Sequence, residues 1–226
     1  MSKVTAIISA YYAKDFMAMR LQNLFVQKPA PEIVVVCQAG SAEDEIASRY
    51  NVKIIRTDNI PTIGKAWNLA ILQATGDYLT TANTDDMFDI GGLKMLSDAL
   101  DNNERAGLVF STVNIRHGQH IAPWFRIDEE TGFIGDAKEM LINGCVIGSM
   151  PVWRKSLHDN VKMFNEDMVV SCDYEMWLRM AFHGVGFYYV NDVCGTYLKR
   201  DDSLEHRHAY ECRTESNSIR GYYANI

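Results

Sequence analysis

The chain has 226 residues, 47% of them hydrophobic, which is enough for one sizeable core. With 22 Lys and Arg against 29 Asp and Glu, the net charge of -7 argues against a large nonspecific nucleic-acid surface. No apolar run approaches the roughly 20 residues that cross a bilayer, and the first ten residues read as a strand rather than a signal peptide.

Residues 4–9 are apolar and β-branched and predict a first strand, followed by a turn over 10–15. Residues 16–27 carry Phe16, Met19, Leu21, Leu24 and Phe25 at near-helical spacing, and Pro29 and Pro31 stop this helix. Residues 33–37 are continuously apolar, as strands covered on both faces are. A glycine turn over 38–41 leads to a helix over 43–50, with Ser41 as candidate N-cap, and to a strand over 52–55. After a loop over 58–64, a helix over 65–74 stops at Gly76, which suits a positive φ, and a strand covers 77–82. Strands and helices that alternate with short loops predict βαβ units and a mostly parallel sheet. Right-handed crossovers then bring the strand ends to one edge.

Past Asp86 the pattern loosens. A helix is expected over 91–100, a strand over 107–115, and a long segment of uncertain form over 117–135, with Trp124, Phe125 and Arg126 inside it; loops of such length are often functional. Residues 143–151 are apolar and punctuated by glycine, and 152–158 read as a short helix. Residues 171–183 form an amphipathic helix with Tyr174, Trp177, Leu178 and Ala181 on one face, ended by Gly184 and Gly186. Strands over 187–190 and 193–198 follow, and from Lys199 the chain reads as a polar tail. The five cysteines, Cys37, Cys145, Cys172, Cys194 and Cys212, include no CxxC pair. Buried reduced thiols in a reducing cytoplasm are expected, not a disulfide framework or a zinc knuckle.

Asp85 and Asp86 stand just past the strand over 77–82, where open α/β sheets bind ligands. Paired hard oxygens there suit Mg2+ or Mn2+, which in turn binds phosphate. A charged loop or an N-cap for the next helix is the alternative.

Four separated segments, in order, resemble the family 2 glycosyltransferases, inverting enzymes of the GT-A fold. They are Ala6-Ile7-Ile8-Ser9-Ala10-Tyr11-Tyr12; the strand from Glu32 that ends in Gln38-Ala39-Gly40-Ser41; Lys65-Ala66-Trp67-Asn68 through Gly76-Asp77-Tyr78 to Thr84-Asp85-Asp86; and Cys172-Asp173-Tyr174-Glu175-Met176-Trp177-Leu178-Arg179, followed by Gly195-Thr196-Tyr197-Leu198. The resemblance implies a single α/β domain over 1–226, Rossmann-like, with a mostly parallel central sheet and helices on both faces. Its nucleotide-binding half is expected over about 1–100, its acceptor-binding half over about 101–200, and a tail over about 201–226.

The resemblance also implies metal-dependent transfer of a sugar, with inversion, from a nucleotide-diphosphate donor. A UDP-sugar is expected, with a glycan or lipid-linked sugar as acceptor, in the cytoplasm or at the inner face of the membrane. Asp173 matches the family's base, which takes the proton of the attacking hydroxyl; an ordinary first-turn carboxylate is the alternative. Asp85 and Asp86 match the metal motif. Ser9 and Tyr11 match the turn that holds the nucleotide base, and Gln38 stands where the family has an aspartate that touches base or ribose. Lys65, Lys199 and Arg200 are candidate diphosphate contacts, and His206 a candidate tail contact to phosphate or metal. Solvated side chains are the alternative for each. Trp124 and Trp153 read either as core or as a sugar-stacking wall.

Three departures keep a non-catalytic sugar- or nucleotide-binding module on the same fold as the rival reading. Gln38-Ala39 replaces the usual Asp of its turn, Asn83 takes the first place of the Asp-x-Asp motif, and Cys172 replaces the Glu before Asp173. A nucleotidyltransferase would need a glycine-rich loop after the first strand, and residues 10–15 contain no glycine.

Overall fold

The computed structural model describes residues 3–124 and 130–226. Its first half alternates strand and helix as the sequence predicts: β1 (Val4–Ala10), α1 (Lys14–Phe25), β2 (Glu32–Gln38), α2 (Ala42–Ala47), β3 (Lys53–Thr57), α3 (Ile63–Gln73) and β4 (Tyr78–Thr81). All four strands are parallel, with Ile7 opposite both Val34 and Thr81, and Val36 opposite Ile55. The second half contributes β5 (Met87–Phe88), α4 (Gly92–Asn102), β6 (Ala106–His117), β7 (His120–Pro123), β8 (Gly132–Phe133), α5 (Ala137–Asn143), β9 (Val152–Arg154), α6 (His158–Val161), α7 (Cys172–Phe182), β10 (Gly186–Leu198), α8 (Leu204–Arg207) and α9 (Ala209–Tyr223).

The described strands form one mixed sheet in the order β3-β2-β1-β4-β9-β6-β10-β5, with β7 against β6 and β8 against β10. Side-chain alternation explains why both faces are covered. Along β1 and β2, Ile7, Val34 and Val36 point to one core with Trp67, Trp153 and Trp177. Ala6, Ile8, Ile33 and Val35 point to the other, with Met17, Leu21, Leu24, Leu93 and Leu96. No helix among the described residues is long and apolar enough to cross a membrane.

The structure corrects four expectations. Residues 152–154 form the antiparallel strand β9 between β4 and β6, with a 3-10 turn over Lys155–Leu157 and α6 behind it. Val152 and Trp153 face opposite cores, so pairing to both neighbours overrides helix propensity. The two expected strands over 187–198 are one, β10, with irregular register between Val190 and Val193. The long segment begins as a β6–β7 hairpin turned at Gly118; Phe125 and Arg126 lie outside the described residues. The polar tail is largely helical, because Ile219 and Tyr223 bury one edge of α9. Tyr223 packs 4.9 Å from Phe182 of α7 and donates to Glu175 Oε1 at 3.1 Å.

Gly76 also works differently from the expectation. It is not among the glycines with positive φ. A Cβ there would stand 2.6 Å from Lys3 O and 2.7 Å from Thr5 Oγ1, so the glycine permits close approach to β1. The crossing is fastened by Glu32, whose carboxylate accepts from Thr5 Oγ1 at 2.6 Å, Thr75 N at 2.7 Å and Thr75 Oγ1 at 3.0 Å.

Candidate active site

Two groups of the expected residues gather at the carboxyl ends of the parallel strands, where the crossovers leave an open edge. The first surrounds β1, β2 and β3. Tyr11, just past β1, places its hydroxyl 2.8 Å from Thr57 Oγ1, and Thr57 donates to Cys37 O at 3.3 Å. Burial raises the Tyr11 pKa, so the phenol stays protonated at neutral pH. Gln38 ends β2 and donates from Nε2 to Asp58 O at 3.3 Å. Ser9 is half-buried opposite Val36. Next to Tyr11, Tyr12 takes φ 56 and lies 5.2 Å from the guanidinium of Arg207 in α8.

The second group forms past β4. The turn Asn83–Asp86 closes with Asp86 N donating to Asn83 O at 3.3 Å. It gives its two carboxylates different surroundings. Asp85 is partly exposed and pairs at 3.0 Å with Arg200 Nε, and the Arg200 guanidinium lies 4.4 Å from the Phe16 ring centroid. Asp86 is fully buried, accepting from Asn83 Nδ2 at 3.2 Å and from Leu198 N at 3.2 Å. Burial, and then Asp85, push the Asp86 carboxyl up, while Arg20 opposes them. Arg20 is itself fully buried in α1, 5.1 Å from the Phe88 ring and bonded to Asn23 Oδ1 at 3.0 Å. Asp86 thus ties the turn to the end of β10.

Asp173 lies in the first turn of α7. Burial pushes its carboxyl up to about 6, against the Tyr174 N–H that it accepts at 2.7 Å, and Glu205 of α8 adds to the rise. The rest of its motif is structural. Trp177 is buried against Trp153 at 5.4 Å. Arg179 grips Glu175 at 3.0 and 2.7 Å and donates to Val161 O at 2.6 Å and Met163 O at 2.9 Å. Glu205 also reaches Tyr197 of β10. Its Oε2 lies 3.5 Å from the Tyr197 hydroxyl. Burial first, then Glu205, Asp86 and Asp85, raise the Tyr197 phenol. Trp124 packs on Tyr197 at 5.0 Å between ring centroids, while Trp153 is core.

The remaining candidates are surface residues. Lys65 is exposed on the first turn of α3, where Thr62 accepts its backbone N–H at 3.3 Å. Lys199 is exposed and its backbone N–H donates to Arg116 O at 2.9 Å. His206 is exposed, with Nδ1 3.0 Å from Ser203 Oγ at the start of α8. Sequence reasoning missed Arg20, although it shares the stripe of Met17, Leu21 and Leu24, where an arginine needs a buried partner. It also missed Glu205, which only the α8 fold brings to Asp173.

Among the described residues no group of three His, Cys, Asp or Glu side chains could hold a metal ion. Asp85 is the partly exposed member of its pair and engages Arg200 through Oδ2. That donor set suits a cation that takes one or two carboxylates and completes its shell with substrate phosphates and water, as Mg2+ does.

The sequence profile of glycosyl transferase family 2 matches residues 5–162. The uncharacterized glycosyltransferase YwdF of Bacillus subtilis (strain 168) is 22% identical over 194 residues, covering 79% of this chain and 68% of that protein. Crystal structures of S. aureus TarS 1-349 with UDP-GlcNAc and with UDP superpose at TM-scores of 0.77 and 0.72, each 18% identical over 99% of this chain, covering 72% and 71% of those chains.

Proposed function

The chain belongs to glycosyl transferase family 2, and we propose that it moves a sugar, with inversion, from a UDP-sugar to a hydroxyl of a glycan or lipid-linked sugar. The observation that carries this reading is the presence of two carboxylates in different surroundings. Asp85 is partly exposed at the strand ends beside the Arg200 cation, and the Asp173 carboxyl is pushed up by burial to about 6. The solved UDP and UDP-GlcNAc complexes of the similar TarS fold support UDP as the nucleotide.

In the reaction the acceptor hydroxyl oxygen bonds to the anomeric carbon while the bond from that carbon to the diphosphate oxygen breaks. The electron pair leaves with UDP, and the hydroxyl proton passes to an oxygen of Asp173. A carboxylate with a pKa near 6 is ionised at neutral pH, yet basic enough to accept that proton as the hydroxyl acidifies in the transition state. Tyr11, Gln38 and Ser9 hold the uracil end. Arg200, with Lys65 and Lys199 at the rim and His206 on the tail, meets the diphosphate. A divalent cation on Asp85, when bound, supplies further positive charge for the departing diphosphate. The five cysteines are free thiols, in keeping with work in the reducing cytoplasm, at the inner face of the membrane or free of it.

The test is a thermal-shift panel of UDP, GDP, CDP and dTDP, each with and without Mn2+, since a ligand of the folded state alone raises apparent stability. A UDP shift that needs Mn2+ and is lost in Asp85→Ala supports the donor site. No shift with any nucleotide would overturn it and favour a binding module with another ligand.

A further inference from the structure

The carboxylate of Glu215, in α9, accepts three consecutive backbone N–H groups. Val169 N lies 2.7 Å from Oε1, Val170 N 3.1 Å from Oε2 and Ser171 N 2.8 Å from Oε2. These are the last residues before α7, and Ser171 is its N-cap. The Ser171 side chain makes no cap bond to α7. It turns to α9 instead, where its Oγ is 3.2 Å from Ser216 Oγ and 3.4 Å from Cys212 O. The first turn of α7, which carries Asp173, is therefore hung from α9 rather than capped by its own chain.

From this geometry we infer that Glu215 is the positioning residue for the base: it fixes the position of Asp173 relative to the donor. The inference rests on the reading of Asp173 as the base. Three charge-assisted bonds to one carboxylate outweigh an ordinary cap, because each such bond is roughly twice as strong as a neutral one. They also fix direction, since one rigid group spans three successive amides. Glu215 has no part among the residues near the nucleotide. It sets the start of α7, while Tyr11, Gln38 and Asp85 hang on β1, β2 and β4. Its loss moves the base and leaves the donor subsite intact. A 1 Å misplacement costs on the order of 100-fold in rate.

The experiment compares wild type, Glu215→Gln, Glu215→Ala and Asp173→Asn. Each is read by UDP release from UDP-GlcNAc and other UDP-sugars with water as acceptor, by UDP thermal shift, and by amide hydrogen exchange. Glu215→Gln keeps the shape and one acceptor oxygen, and so reports even where the alanine variant folds poorly. The expected result is faster exchange at Val169, Val170 and Ser171, a kcat lowered about 10–100-fold in Glu215→Ala and less in Glu215→Gln, and a donor KM and UDP shift within twofold of wild type. Unchanged exchange, an unchanged kcat, or a donor KM that rises in step with the loss would overturn the inference while Asp173→Asn still abolishes release. Release that survives Asp173→Asn, or that wild type lacks with every UDP-sugar, overturns the reading of the base itself.

Discussion

Arg200 Nε sits 3.0 Å from Asp85 Oδ2, with the same guanidinium 4.4 Å from the Phe16 ring centroid and 3.0 Å from Asp202 Oδ1. A cation–π contact on one side and a carboxylate at the edge hold this cation at the mouth of the proposed diphosphate site. Arg200→Ala is expected to raise the donor KM about 5–50-fold, the worth of a charge-assisted phosphate contact. Its cost in stability is expected to stay under about 1 kcal/mol, as for partly exposed pairs. Arg200→Lys keeps the charge but not the guanidinium fork, and should fall between. Initial rates against donor concentration decide this; an unchanged KM in both variants would remove Arg200 from the site.

Asp173 sets a pH dependence with a definite sign. Its carboxyl is pushed up to about 6, so the base is ionised above that pH. Transfer should rise with pH through about 6 and level off above. Stability runs the other way. A carboxyl raised from 3.8 in the unfolded chain binds more protons when folded, so its contribution is full below 3.8 and is lost as pH rises through 6. Asp173→Asn is expected to abolish turnover, yet to be more stable than wild type at pH 8 by about 1–3 kcal/mol, with the gain vanishing toward pH 4. Urea melts at the two pH values measure it. A variant less stable at pH 8 would contradict the desolvated carboxylate.

Arg20 and Asp86 are both fully buried, and burial followed by the opposing charges of Asp86 and Asp85 leaves the guanidinium lowered to about 10. Arg20 is the cation that opposes the rise of the buried Asp86 carboxyl, so removing it takes away that compensation. Arg20→Met should therefore cost about 3–5 kcal/mol, and adding Asp86→Asn should recover part of that loss. A double variant as unstable as the sum of the singles would mean that the two charges do not compensate each other.

Glu32 lies at the opposite edge of the sheet from the site. Burial alone would raise its carboxyl, but the Thr5 hydroxyl, the Thr75 N–H and hydroxyl, and Lys3 hold it down at about 2. A depressed carboxyl gives stability that is present above its unfolded pKa and lost as pH falls through 2. Glu32→Gln is expected to lower stability at pH 7 by about 1–3 kcal/mol, to narrow that gap below pH 4, and to leave UDP binding unchanged. Denaturation at pH 7 and pH 3 checks the first two points, and titration with UDP the third.

The sequence by itself determined the first half of the sheet and the chain positions of the candidate carboxylates. Continuous apolar runs such as Ile33–Cys37 leave no face for water, so β1 and β2 had to be buried strands. The tertiary structure decided what those carboxylates are. Asp85 and Asp86 are adjacent and chemically identical, yet one meets solvent and Arg200 while the other is sealed against Asn83 and the end of β10. Val152-Trp153 became strand because β4 and β6 offered edges on both sides. The polar stretch past Lys199 became α8 and α9, which bring Glu205 toward Asp173 and place Glu215 under α7. Local pattern encodes which face of an element is apolar. Burial of a single charge, and the partner that compensates it, depend on what distant segments bring to that point, and no spacing within one segment records that.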